Sequence, residues 1–271
     1  MTNKKNVGGL ANIAEVRDRT KKEILSIWMK NVYKNEIKKI KSLFAGCCGH
    51  QLEQKFGLKN SNKNESDFKD FELKIYSSRI TFGDWKGKFL FEKNPITSRL
   101  DFLEYFGRYN SEKKNYYLTS PAVPKFTEIS YRGFFWKITA KKLKLLYNPK
   151  KDTKKPKRLN FPNNTVLVVW DLESLKKKFD NKFSGKQIIL AKKENGIHTK
   201  ILFVNSLDWP LFLKWFKQGI IILDPCLKSK DKRNHCSFRI NATNLLNLGY
   251  TEYSVSNEIL VKKYFSKKVS N

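Results

Sequence analysis

Apolar side chains recur at near-helical spacing over residues 12–44, through Ile13, Val16, Ile24, Leu25, Trp28, Met29, Val32, Ile37, Ile40 and Leu43. Lysines fill the other faces, and the stretch reads as one helix or as two joined near residues 33–36. Gly46-Cys47-Cys48-Gly49 interrupts it, and a short helix over residues 50–56 stops at Gly57. The period then drops to two. Over residues 71–76, Phe71, Leu73 and Ile75 alternate with Glu72 and Lys74, so the spacing predicts a strand with one apolar face and Glu72 beside Lys74 on the other. Residues 77–130 carry a weaker signal, with faint alternation around Phe82, Trp85, Phe89 and Phe91 and a short helix over 98–106.

From residue 131 the pattern strengthens. Phe134, Trp136 and Ile138 share a strand face, and the Ala140-Lys141-Lys142 turn leads into a second strand over 143–147. The charged run 150–157 reads as solvated loop. Residues 165–170 are continuously apolar, as in a buried strand. Asp171 caps a helix over 172–183, with Gly185 beyond its end. Strands at 187–191 and 200–204 flank Glu194-Asn195-Gly196. A helix containing Leu211, Leu213, Trp215 and Phe216 stops at Gly219, and a buried strand over 220–223 ends at Asp224-Pro225. A basic loop at 228–234 precedes a strand over 237–240, then a helix over 242–248 ended by Gly249. Helices come first, then strands mixed with helices, so the fold class is α/β or α+β with a mixed sheet.

Composition adds a partner. The 271 residues, 40% hydrophobic, suffice for one large domain or one domain in two lobes. Lys and Arg total 55 against 25 Asp and Glu, a net charge of +30. Such an excess repels itself and favours a polyanion, most simply nucleic acid. A lysine-, asparagine-, isoleucine- and phenylalanine-rich chain also fits an AT-rich coding sequence, which could supply part of that charge. Cys47, Cys48, Cys226 and Cys236 form no C-x-x-C pair, and Cys226, His235 and Cys236 lack zinc-ligand spacing. Reduced thiols in a cytoplasmic protein are expected. A signal peptide and a membrane-spanning apolar run are expected to be absent.

The candidate chemistry lies in Ser66-Asp67-Phe68-Lys69-Asp70-Phe71-Glu72-Leu73-Lys74. Asp67 precedes the strand, where a turn can bring it back beside Glu72. Two carboxylates with the Leu73 carbonyl offer hard oxygen ligands suited to Mg²⁺. Mg²⁺ lowers the pKa of a bound water and withdraws charge from a phosphate. Lys74 would orient the attacking water and stabilise developing charge. The spacing alone also suits a solvated strand edge in a chain with 30% charged residues. Glu53, in G-H-Q-L-E one element upstream, adds a third carboxylate.

Taken together, G-H-Q-L-E-Q and S-D-F-K-D-F-E-L-K resemble the MvaI/BcnI restriction endonucleases, a MutH-like group within the PD-(D/E)xK nucleases. Likeness continues through residues 166–183, 203–224 and 235–246, in the family's order, over roughly residues 45–250. The resemblance implies a PD-(D/E)xK core with a mixed central sheet flanked by helices, in two lobes that hold DNA in a cleft. It implies an active-site group of Glu53, Asp67, Glu72 and Lys74, with Asp67 and Glu72 as Mg²⁺ ligands. A catalytic lobe is expected over residues 1–160 and a mainly DNA-reading lobe over 161–271. Asp224, His235 and Arg239 are the candidate DNA contacts, since Asp can accept from cytosine N4 and Arg can fork onto guanine.

The implied partner is double-stranded DNA, cut by a monomer at a short sequence, with a cognate methyltransferase protecting the host without stable contact. Ser66 stands where the family has proline, and Cys226 where relatives have arginine. The loop before His235 is shorter, without a second histidine nearby. These departures predict a different target sequence and leave the catalytic group intact. A MutH-like nickase and a non-catalytic nucleic-acid-binding protein remain as alternatives.

Overall fold

The computed structural model describes residues 18–35, 47–58, 64–90, 96–119, 123–154, 161–230, 236–256 and 259–266. The chain divides into two compact units. The first comprises Met1–Ile80, Asp180–Asp208 and Ala242–Asn271, and the second Thr81–Phe179 and Trp209–Asn241.

The first unit is built on a five-stranded mixed sheet in the order β1-β9-β10-β14-β15. β1 (Phe71–Ile75) is an edge strand and runs parallel to β9 (Gln187–Glu194), from Phe71 opposite Gln187 to Ile75 opposite Ala191. β9 and β10 (Ile197–Val204) form an antiparallel hairpin. Its turn residues Asn195 (φ 50°) and Gly196 (φ 85°) are both left-handed, the conformation that matches strand twist in a two-residue hairpin. β14 (Tyr250–Ser256) pairs antiparallel with β10, and β15 (Ile259–Phe265) closes the far edge. This last hairpin has no counterpart in the sequence reading above.

Two helical segments belong to the same unit. In α1 (Lys21–Ile27) Thr20 and Glu23 form a reciprocal capping box. The helix continues as a π-helical turn, Trp28–Val32, and the chain breaks at Lys34 (φ 56°), whose peptide N–H donates to the His198 carbonyl at 2.9 Å. The remainder of the helix expected over residues 12–44 lies outside the described residues. α2 (Cys47–Lys55) begins three residues earlier than the glycine pattern suggests. Gly49 sits inside it, where an added Cβ would meet nothing within 4 Å. Ile24, Trp28, Leu52, Phe56, Phe68, Leu73, Ile189, Ile201 and Phe203 interlock as one apolar core.

The second unit holds an antiparallel sheet in the order β3-β8-β7-β6. Its strands are β3 (Lys88–Phe89), β6 (Arg132–Ile138), β7 (Lys142–Asp152) and β8 (Thr165–Asp171). β7 outruns the expected strand and passes through Pro149 into the charged run. A bulge lets Arg132 pair with Asp152, and Arg132 there donates to the carbonyls of Lys154 and Tyr105. Residues 150–152 are therefore strand and not loop. β7 pairs with β8 from Lys142–Asp171 to Tyr147–Thr165. A boundary near residue 160 would cut between paired strands of a single unit, so the split at 160 does not coincide with the compact units.

Two small sheets, β11-β13-β2 and β12-β5-β4, complete the architecture. They comprise β2 (Arg79–Asp84), β4 (Arg108–Asn110), β5 (Asn115–Leu118), β11 (Ile221–Asp224), β12 (Leu227–Lys228) and β13 (Ser237–Asn241). Helices α3 (Arg99–Phe106), α4 (Leu172–Phe183) and α5 (Trp209–Lys217) accompany the strands, and α6 (Ala242–Leu246) returns the chain to the first unit. Aromatic rings fill the second core: Trp85 meets Phe179 and Phe212 edge-on and Phe238 at a tilt, and Phe212 meets Phe179 and Phe238 at a tilt. The class is mixed α+β, as expected.

Candidate active site

The turn into β1 brings Asp67 back onto the strand. The Phe68 peptide N–H donates to the Phe71 carbonyl at 2.9 Å, and the fully buried Phe68 ring packs edge-on against Phe56. Asp67 Oδ2 accepts from the Leu73 peptide N–H at 2.8 Å. In return, the Asp67 peptide N–H donates to Glu72 Oε2 at 3.3 Å. The five-residue spacing between the acids is thus one turn closed from both sides.

Glu72 is wholly excluded from solvent, which a carboxylate tolerates only when paired. Lys74, two residues on and on the same strand face, donates its Nζ to Glu72 Oε1. A second ammonium, Lys182 Nζ, lies 3.1 Å from the same oxygen. It comes from the last turn of α4. Gly185 (φ 71°) ends that helix, and the Lys186 peptide N–H donates to the Phe183 carbonyl at 3.0 Å. The Gln187 peptide N–H then donates to the Asp70 carbonyl at 3.0 Å, tying the helix end to the entrance of β1.

These charges shift one another. Burial, and then repulsion from Glu72, push the Asp67 carboxyl up to about 7 against the pull of Lys74 and Lys182. Burial opposes the charged form of Lys74, but attraction to Glu72 and Asp67 outweighs it and holds the ammonium above its ordinary value. Lys74 therefore stays protonated at neutral pH. Asp67 is short of positive charge, and near neutral pH it is divided between acid and carboxylate.

Glu53, on α2, faces His50 at 3.2 Å. Its charge reaches Asp67 and Lys74 without making it a third member of the pair. Among the described residues no three of His, Cys, Asp and Glu converge as a metal cage. The donors present are two carboxylates and the intervening backbone carbonyl. That set fits a hard divalent cation that keeps most of its water, as Mg²⁺ does.

In the second unit Asp224, at the end of β11, and Arg239, on β13, pair with each other: Arg239 Nη1 lies 3.1 Å from Asp224 Oδ2. Arg239 also donates to Cys226 Sγ at 3.3 Å, and the Cys226 peptide N–H donates to Asp224 Oδ1 at 3.3 Å. Cys226 adopts φ 46°, uncommon for a residue with a side chain. Burial and the neighbouring Asp224 push its thiol up to about 11, so it acts as a neutral acceptor. His235 lies outside the described residues.

The sequence reading missed Lys182. It is one of four lysines in α4, with Lys176, Lys177 and Lys178, and nothing local distinguishes it. Only the parallel pairing of β1 with β9 brings the end of α4 to Glu72.

Two carboxylates and two ammoniums thus meet at one end of a mixed sheet. Residues 29–247 match the LlaMI restriction endonuclease family. Type II restriction enzyme ScrFI from Lactococcus lactis subsp. cremoris is 22% identical over 225 residues, covering 72% of this chain and 83% of that enzyme. A solved complex of restriction endonuclease MvaI with its cognate DNA substrate shares the fold at a TM-score of 0.56 and 17% identity, over 91% of this chain and 99% of that one. The protein is a type II restriction endonuclease, and it belongs to the LlaMI restriction endonuclease family. Enzymes of this kind generally use a divalent metal.

Proposed function

We propose that Asp67, Glu72 and Lys74 form the site at which this enzyme hydrolyses phosphodiester bonds of double-stranded DNA, with Mg²⁺ as the cation. The observation that carries the reading is the fully buried Glu72, linked to Asp67 by a backbone hydrogen bond and to Lys74 by an ion pair. So much ordered charge at the edge of a sheet is costly unless it serves chemistry. Asp67, Glu72 and the Leu73 carbonyl would hold the cation. When bound, it would supply positive charge to the scissile phosphate and acidify water. Lys74 is held charged and fixed by its bond to Glu72. From there it orients the attacking water and stabilises charge developing on the phosphate. Glu53, steadied by His50, adds a third negative charge near the pair and assists in ordering water or a second cation.

The division of labour follows the two units. The first cuts, and the second reads bases through Asp224, Arg239 and His235. Within the Asp224–Arg239 pair each group holds the other in register, so that both can present hydrogen-bonding edges to a base pair. The enzyme acts as a monomer in the cytoplasm, and a separate methyltransferase protects host DNA. The net charge of +30 supports a duplex partner. Incubation of plasmid DNA with Mg²⁺ tests the reading. Discrete linear fragments from the native protein, and none from Asp67→Ala, are expected. Undiminished cutting by Asp67→Ala would remove the site from consideration. Accumulation of open circle alone would replace double-strand cleavage with nicking.

A further inference from the structure

Resting on the site proposed above, we infer that Lys182 is a positioning residue that couples uptake of the divalent cation to arrival of DNA. Two ammoniums meet one oxygen of a carboxylate that has no contact with water. Lys74 alone is enough to neutralise Glu72. Desolvating a second lysine there has a cost that a single ion pair does not require. Lys182 is nonetheless held firmly: its side chain is 18% exposed, and the turn behind it is tied to Asp70 and capped by Gly185.

Charge counting shows what this achieves. Asp67 and Glu72 contribute at most two negative charges against the two positive charges of Lys74 and Lys182, so the inner site carries no net negative charge before any cation enters. Around it, Glu53 acts on Asp67 and Lys74, while Lys186 acts on Glu72, Asp70 and Glu65. A divalent cation added to such a site meets two ammoniums at close range. A phosphodiester and a hydroxide bring back two negative charges. Cation and DNA therefore favour each other's binding, and each binds weakly alone. Once the cation shares Glu72, the Lys182 ammonium is released from part of its pairing and becomes available to a DNA phosphate.

The test uses the full chain and Mn²⁺ as probe. Binding of Mn²⁺ to DNA-free protein is measured by calorimetry for the native enzyme, Lys182→Met, Lys182→Arg and Asp67→Ala. Plasmid cleavage at saturating Mg²⁺ is measured in parallel, and circular dichroism checks folding. Lys182→Met is expected to bind Mn²⁺ at least about tenfold more tightly without DNA, because one repelling charge at contact distance is gone. The same variant should cut DNA at least about a hundredfold more slowly. Lys182→Arg should restore native Mn²⁺ affinity and recover part of the cutting. If Lys182→Met does not fold, Lys182→Gln, which keeps a donor to Glu72, takes its place with the same expectations. Unchanged Mn²⁺ affinity in the neutral variant overturns the coupling, whether or not cleavage falls. Native Mn²⁺ binding and cutting by Asp67→Ala would instead overturn the site itself.

Discussion

Replacing Asp67 by Asn should make the metal-free protein more stable at pH 8 and inactive as a nuclease. Asp67 begins near 3.8 when unfolded and rises to about 7 in the fold, mainly by burial and then by repulsion from Glu72. The difference is about three units, and at 1.36 kcal/mol each the ceiling is about 4 kcal/mol. Side-chain relaxation and water entry reduce this, and about 2 kcal/mol is the expected gain. Below pH 3.8 both states hold the proton, and the group neither stabilises nor destabilises relative to Asn. Between pH 3.8 and about 7 the folded state retains a proton that the unfolded state has lost. Stability of the native sequence therefore falls as pH rises through that window, and the deficit is complete above about 7. Asn keeps an oxygen to accept from the Leu73 peptide N–H, so the turn should survive. Urea unfolding of both proteins in a chelator, from pH 4 to pH 8.5, reads the difference directly, and contributions common to both cancel. The gap should open with pH and level off near pH 7.5. Added Mg²⁺ should close it by stabilising only the native sequence. A gap independent of pH, or an Asn variant less stable at pH 8, would refute the reasoning.

The second unit offers a contrasting case. Arg132→Met leaves Asp152 buried with only Tyr147 and backbone neighbours, and should cost about 3 kcal/mol in urea unfolding. Gly133→Ala should cost at least about 3 kcal/mol by the same measurement. Gly133 has φ 70°, and an added Cβ would strike the Asn148 carbonyl oxygen. Asp224→Ala should lower stability by about 1–3 kcal/mol and flatten the preference for cognate over unrelated DNA in competition binding, because Arg239 loses its carboxylate and keeps only the Cys226 sulfur. His198 is fully enclosed, and burial lowers its imidazole to about 4. Stability should be lost as pH falls from 6.5 towards 4, where the unfolded chain takes up a proton first, and His198→Gln should remove that part of the acid slope.

The strand at residue 71 was legible because Phe71, Leu73 and Ile75 alternate with polar neighbours. The return of Asp67 was legible because a turn immediately before a strand has few places to put a short acid. Asn195-Gly196 announced its hairpin through the one conformation such a pair favours. Other features depend on contacts between distant parts of the chain. Gly49 looks like punctuation, but a helix face open to space tolerates glycine. The charged run after Tyr147 looks like loop, but Asp152 is drawn into the sheet by Arg132. A division at residue 160 falls between β7 and β8, which pair with each other across it. Lys182 could not be read at all, because its partner is set by the pairing of β1 with β9. The complete burial of Glu72 was equally hidden, since a strand pattern gives the face of a side chain and not what covers it.

The first unit is assembled from three separate stretches of chain, and this bears on the order of events during synthesis. A ribosome has delivered Asp67, Glu72 and Lys74 long before it delivers β9, the neighbour against which β1 pairs, or Lys182. The sheet gains β14 and β15 later still. Nascent and prematurely terminated chains lacking β9 therefore carry the acidic residues without the scaffold that holds them. With the proposed site incomplete in them, such fragments are not expected to cut DNA.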